Sequence, residues 1–213
     1  MRVIIYVPIV HSEADLGSLL GDVKRGFLEA FGEEAWTRRS AAVDAMWVGL
    51  ANRLAAMPLV WSDVRLYQDG LPVCGREMDI VSEVAAQGSR NHRLLLDLVG
   101  QGATLMGTED PQLMIREYRR TQALALAATE TMPASRFEEL KRDGTVILAE
   151  RDAFIARRIE ETLLKGETGI AFMGMLHRVN EKISGDIQIQ PLIYSLPFGT
   201  GPNQERTGKH NED

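Results

Sequence analysis

Four side chains of the kinds that carry protons or hold charge, His11, Glu109, Arg151 and His177, stand far apart in the chain, and three of them follow short apolar runs. Val10 leads into His11, Gly107 into Glu109 two residues on, and Leu176 into His177. If those runs are parallel strands, their carboxyl ends bring the three groups to one edge of a sheet. Two imidazoles and a carboxylate, here His11, Glu109 and His177, form a ligand set for a divalent metal such as Mn, Co or Zn that would activate water for hydrolysis. Without metal, a histidine acts as general base while Arg151 binds a carboxylate or steadies a developing oxyanion. Glu13, Asp110 and Arg178 flank these positions and are candidates for contacting the substrate.

Each residue alone has a plainer explanation. A histidine at a strand end can bond a neighbouring backbone group, and Glu109 just ahead of a helix start is favoured by the helix dipole. It is the coincidence at several strand ends that favours chemistry. His92, within Ser89–Arg93, reads as part of a solvated helix face, as do Arg116, Arg119 and Arg120 at helical spacing. Cys74, the single cysteine, has Arg76 nearby to favour a nucleophilic thiolate but reads more plainly as a lone thiol in a loop or at a helix start, and it excludes an intramolecular disulfide or a multi-cysteine zinc site. The chain has neither a phosphate-binding glycine loop nor a G-x-S-x-G elbow, and Ser12 beside His11 would point away from it on an extended backbone.

The elements that must position these groups follow from hydrophobic periodicity. Val3–Val10 is a β-branched run and predicts a central strand buried on both faces. A helix capped by Asp15 or Ser18 is expected to run to Gly32, and a second over 36–57, where Val43, Met46, Trp47, Leu50 and Leu54 form a stripe closed by Pro58. A short strand at 64–67 ends in the turn dipeptide Asp69-Gly70. Helical spacing from Glu77 to Leu98 is interrupted at Gly88, a strand follows at 103–107, and a helix begins near Pro111. Further helix spans 135–164 with a break at Gly144, followed by a strand at 170–176 and a last one around Ile187–Ile193. Alternating strands and helices predict an α/β fold with a mainly parallel central sheet flanked by helices and a site at the carboxyl ends of the strands. Residues 1–196 are expected to form one domain and 197–213, which include His210, a flexible polar tail.

Composition narrows the function. Of 213 residues, 45% are hydrophobic, enough for a sizeable core, and a net charge of -6 argues against a broad basic face for nucleic acid. The opening apolar run is too short to span a membrane and lacks a signal-peptide cleavage pattern. A cytoplasmic protein is expected, acting on a small-molecule or peptide substrate with no membrane partner, and a homo-oligomer is left open.

The most specific passage is Glu150 to Ile159, then Thr168 to Phe172, then Gly174-Met175-Leu176-His177. It resembles the TraB, ChaN and erythromycin-esterase-like (Tiki) superfamily, whose members carry an arginine-led helix feeding a strand that ends Gly-x-x-His. Here Asp152 stands where that pattern has asparagine, and Pro8-Ile9-Val10 precedes His11 where it has glycine and a small residue. The resemblance extends to a histidine after the first strand and a glutamate after an inner one, places filled by His11 and Glu109. It implies varied activities: metal-dependent peptide cleavage in the Tiki branch, ester hydrolysis in the esterase branch, haem binding in ChaN and pheromone shutdown in the TraB branch. The expectation is a hydrolase of ester or peptide bonds. Its rival is a non-catalytic regulator that captures haem or another small ligand, with Met173 and Met175 near His177 as conceivable haem neighbours.

Overall fold

Alternate residues of the first strand, β1 (Arg2–Ile9), enter two different cores. Ile5, Val7 and Ile9 pack with one hydrophobic cluster, Ile4 and Tyr6 with another, as side chains on a pleated strand must. The computed structural model describes residues 1–127 and 132–194. Within them, β2 (Val64–Gln68), β3 (Thr104–Met106), β4 (Thr168–Gly174) and β5 (Ile187–Pro191) join β1 in one five-stranded sheet, ordered β3-β2-β4-β1-β5. Every pairing is parallel. The protein is therefore an α/β sandwich, with β4 at its centre and β1 between β4 and β5.

Helices cover both faces. On one lie α1 (Leu20–Ala55), α2 (Glu77–Ala86) and α3 (Arg90–Gly100), whose Trp47, Leu50, Leu54, Val81 and Leu95 meet Val7, Leu66 and Phe172 of the sheet. Each such buried side chain contributes about 1.5–3 kcal/mol relative to exposure. On the other face α5 (Ala134–Thr162) sets Ile155, Ala156 and Ile159 against Ile4, Tyr67, Ala171 and Met173, and α4 (Pro111–Ala127) packs on α5. None of the helices among the described residues is long and apolar enough to cross a membrane.

The two helices expected before Pro58 are one element with a break inside it: Gly32 has φ of 80°, outside helical geometry, at the position where the first was expected to stop. Ahead of α1, a 3-10 stretch covers Glu13–Leu19, and Asp15 reaches back to the Ser12 N–H and hydroxyl at 2.7 and 2.8 Å. The expected break at Gly144 is absent, since α5 runs through it. Glycine is needed there for a different reason: a Cβ would lie 2.7 Å from Arg120 Cζ, so the bare backbone leaves room for that guanidinium. The expected tail, with His210, lies outside the described residues.

After β5 the chain crosses α1, held by Arg53 donating to the Ile193 carbonyl at 2.8 Å and facing the Tyr194 ring at 5.9 Å. The ring lies over Gly49, where a Cβ would come within 2.2 Å of it. Gly49→Ala therefore evicts Tyr194, while alanine's better helix propensity returns about 1 kcal/mol to α1. The two effects offset in global stability, so the change is local. Chymotryptic cleavage at Tyr194, mapped by mass spectrometry, is expected to accelerate severalfold with little shift in Tm.

Candidate functional site

The ends of three neighbouring strands, with the middle of α5, converge on one cavity, and the end of a fourth is tied to it through Arg151. His11 follows β1, Asp69 follows β2, Glu109 follows β3, and His177 closes a turn after β4 in which its N–H bonds the Gly174 carbonyl at 2.9 Å. Arg151 and Asp152 are adjacent on α5. The cavity, about 640 Å³, is lined at its floor by His11, Asp69, Arg151 and His177 and on its walls by apolar groups including Ile9, Leu148 and Leu176. Its volume is that of a small-molecule site.

At the floor the groups form a chain. Asp69 Oδ2 lies 3.3 Å from His11 Nε2 and 3.8 Å from His177 Nε2. His177 Nδ1 in turn meets Asp152 Oδ1 at 2.6 Å, and Asp152 Oδ2 accepts the Arg178 N–H at 3.0 Å. A carboxylate only accepts, so Nδ1 carries the hydrogen and Nε2 of neutral His177 is the basic nitrogen. Asp69 also accepts the Gly174 N–H at 2.6 Å and the Gln68 amide at 2.7 Å. Gly174 permits that approach: a Cβ there would sit 2.7 Å from Asp69 Oδ2 and 3.4 Å from His11 Nε2.

Electrostatics follow from this packing. Burial opposes charge on both Asp69 and His11, but their mutual attraction outweighs it, so the carboxyl is held below its ordinary range and the imidazole above its own. Burial, with the charges of Asp152 and Asp69 behind it, pushes the Tyr6 hydroxyl up to about 12.

Glu109 is fully buried and is locked rather than open. Arg151 Nε and Nη2 reach its two oxygens at 2.7 and 2.5 Å, and the Gly70 N–H takes Oε1 at 2.8 Å. The Arg151 Nη1 carries no hydrogen bond among the described residues. The structure therefore ties Glu109 of the expected metal set to Arg151 and Gly70, and the carboxylate it brings beside the imidazoles of His11 and His177 is that of Asp69. Among the described residues there is no group of three side chains disposed to hold a metal ion. Of the two methionines near His177, Met173 is wholly buried in the core facing α5, while Met175 is 72% exposed.

The flanking candidates do not line the cavity. Glu13 accepts from Trp36 Nε1 and Ser40 Oγ, both at 2.9 Å, and anchors α1. Asp110 caps α4 through the Gln112 N–H at 2.7 Å. Arg178 points outward to Glu181 at 3.1 Å. Three other residues that the sequence reading set aside do belong to the site or its frame: Asp69 and Arg120 line the cavity, and Asp152 orients His177. One signal for Asp69 was present, since it follows a strand just as His11 does. Cys74 is exposed and lies outside the cavity lining.

His92 is also not on a solvated face. Its Nδ1 lies 2.8 Å from Ser89 Oγ and 3.2 Å from Asp15 Oδ1, and Ser89 bonds Asp15 as well. Serine and aspartate share one imidazole nitrogen, so this is not a nucleophilic triad, in which they would take opposite nitrogens. It clamps the loop after His11 to the start of α3. Burial works against the Asp15 charge, but hydrogen bonds from His92, Ser89 and Ser12 prevail and bring its pKa down from 3.8 to about 2. A depressed folded-state pKa adds stability that is complete above the unfolded value and is lost as pH falls through the folded one. The stability gap between wild type and Asp15→Asn in urea titrations is thus expected to be constant from neutral pH to about 5 and to shrink between about 4 and 2.

Comparison of the chain with protein-family models, curated proteins and solved structures gave no match.

Proposed function

We propose that this protein is a hydrolase of ester or peptide bonds, related to the TraB, ChaN and erythromycin-esterase-like superfamily, in which His177 activates water. The observation that carries the reading is the pairing of His177 Nδ1 with buried Asp152 at 2.6 Å, which turns Nε2 of the same ring toward the cavity groups Asp69 and His11. In the reaction, water attacks the substrate carbonyl carbon as His177 Nε2 takes one of its protons. The negative charge that forms on the carbonyl oxygen is met by Arg151 Nη1, held in place by Glu109. His11, biased toward its charged form by Asp69, gives a proton to the departing oxygen or nitrogen as the carbon–heteroatom bond breaks. His177 then returns its proton to His11 through the solvent in the cavity.

Purified protein assayed against ester and peptide libraries, in chelator-treated buffer and with added Mn, Co or Zn, tests this. Turnover in chelator that falls in His177→Ala supports the reading. Turnover only with added metal overturns the metal-free route. Turnover untouched by His177→Ala overturns the site.

A further inference from the structure

We propose that the cavity takes a substrate bearing a carboxylate in addition to the bond that is cut, and that Arg39 is the residue that selects for it. This rests on the cavity's being the substrate site, as in the reading above. Four arginine and lysine side chains line the cavity, and three of them are already matched. Arg151 is paired with Glu109, Arg120 is held by both oxygens of Glu117 at 2.6 and 2.9 Å, and Lys141 lies 3.3 Å from Glu138. Arg39, on α1, forms no ion pair among the described residues. Its guanidinium makes only a long 3.4 Å bond to the His11 carbonyl and rests 5.3 Å from the centre of the Trp36 ring.

That setting suits selection. The aromatic face and the His11 carbonyl hold the guanidinium beside the floor of the cavity, while most of its N–H donors stay uncommitted. A guanidinium fork matches the two oxygens of a carboxylate, and one cation balances one negative charge better than it balances a dianionic phosphate. On the wall built by α4 and α5, Glu117 balances Arg120 and Glu138 balances Lys141, and Leu148 adds an apolar surface. The substrate class is accordingly a half-ester or acyl compound with an aliphatic stretch and a free acid group near His11.

Isothermal titration of hexanoate and its neutral isostere hexanamide tests this without requiring turnover. Wild type at low salt is expected to bind hexanoate about tenfold more tightly than hexanamide. In Arg39→Gln that preference should fall to within about twofold, with hexanamide affinity unchanged, while Arg38→Gln, on the same helix but outside the cavity lining, keeps it. The proposal is overturned if wild type shows no preference, if hexanoate does not bind at millimolar concentration, or if Arg39→Gln retains the preference. Ester hydrolysis measured on the same samples separates the two readings. Preference without hydrolysis removes the hydrolase and keeps the Arg39 subsite, whereas hydrolysis without preference removes only the subsite.

Discussion

Asp152→Asn lowers kcat by about 10²–10⁴-fold while changing KM and Tm little. An asparagine amide of the same shape can donate to His177 Nδ1, which drives the ring hydrogen to Nε2 and removes the basic nitrogen from the cavity side. The Arg178 N–H still finds an acceptor in the asparagine oxygen, so the turn after β4 keeps its anchor. Substrate contacts made elsewhere in the cavity are untouched, which is why the loss falls on kcat. The measurement is steady-state kinetics on whichever ester or peptide the library assay identifies, alongside thermal melts of both proteins. A loss in KM alone, with kcat retained, contradicts the assignment of Asp152 as the positioning residue for His177.

Glu109→Ala is expected to destabilise the protein by about 3–5 kcal/mol. Removing the carboxylate leaves Arg151, only 15% exposed at its side chain, as a buried cation without its partner, and leaves the Gly70 N–H unmet. The penalty lies in the stranded charge more than in the lost attraction, so Glu109→Ala/Arg151→Met should recover a large part of it. Urea denaturation of the two single variants and the double variant measures the coupling. Additive effects would show that the two side chains do not act as a buried pair.

Much of the scaffold was legible in the sequence, because apolar runs and helical stripes report burial directly. The runs ending at His11 and His177 lie on β1 and β4, and the parallel sheet puts them side by side. What spacing could not reveal was which neighbour each polar group would meet. Asp69-Gly70 has the signature of a turn, and Gly70 does adopt φ of 73°, so the turn explanation was sufficient and hid a carboxylate lying between two imidazoles. Glu109 looked free for a ligand because its partner, Arg151, arrives from a helix 42 positions later. Gly144 and His92 show the same limit. A helix-breaking residue and a polar turn of helix acquire their meaning from Arg120 and Asp15, which only the tertiary fold brings to them.

The strand order also dictates when the protein can acquire its site. β1 pairs only with β4 and β5, so a strand near residue 5 must wait for partners near residues 170 and 189. As the chain leaves the ribosome, both edges of this β-branched segment stay unmatched until nearly all the described sequence has emerged. Pairings of such long sequence separation are slow to close, and until then the segment is a ready template for other chains. β1 therefore stays without either neighbour until β4 and β5 have been made. His11 joins His177 only in that last closure, so no partial product of synthesis carries the assembled floor of the cavity.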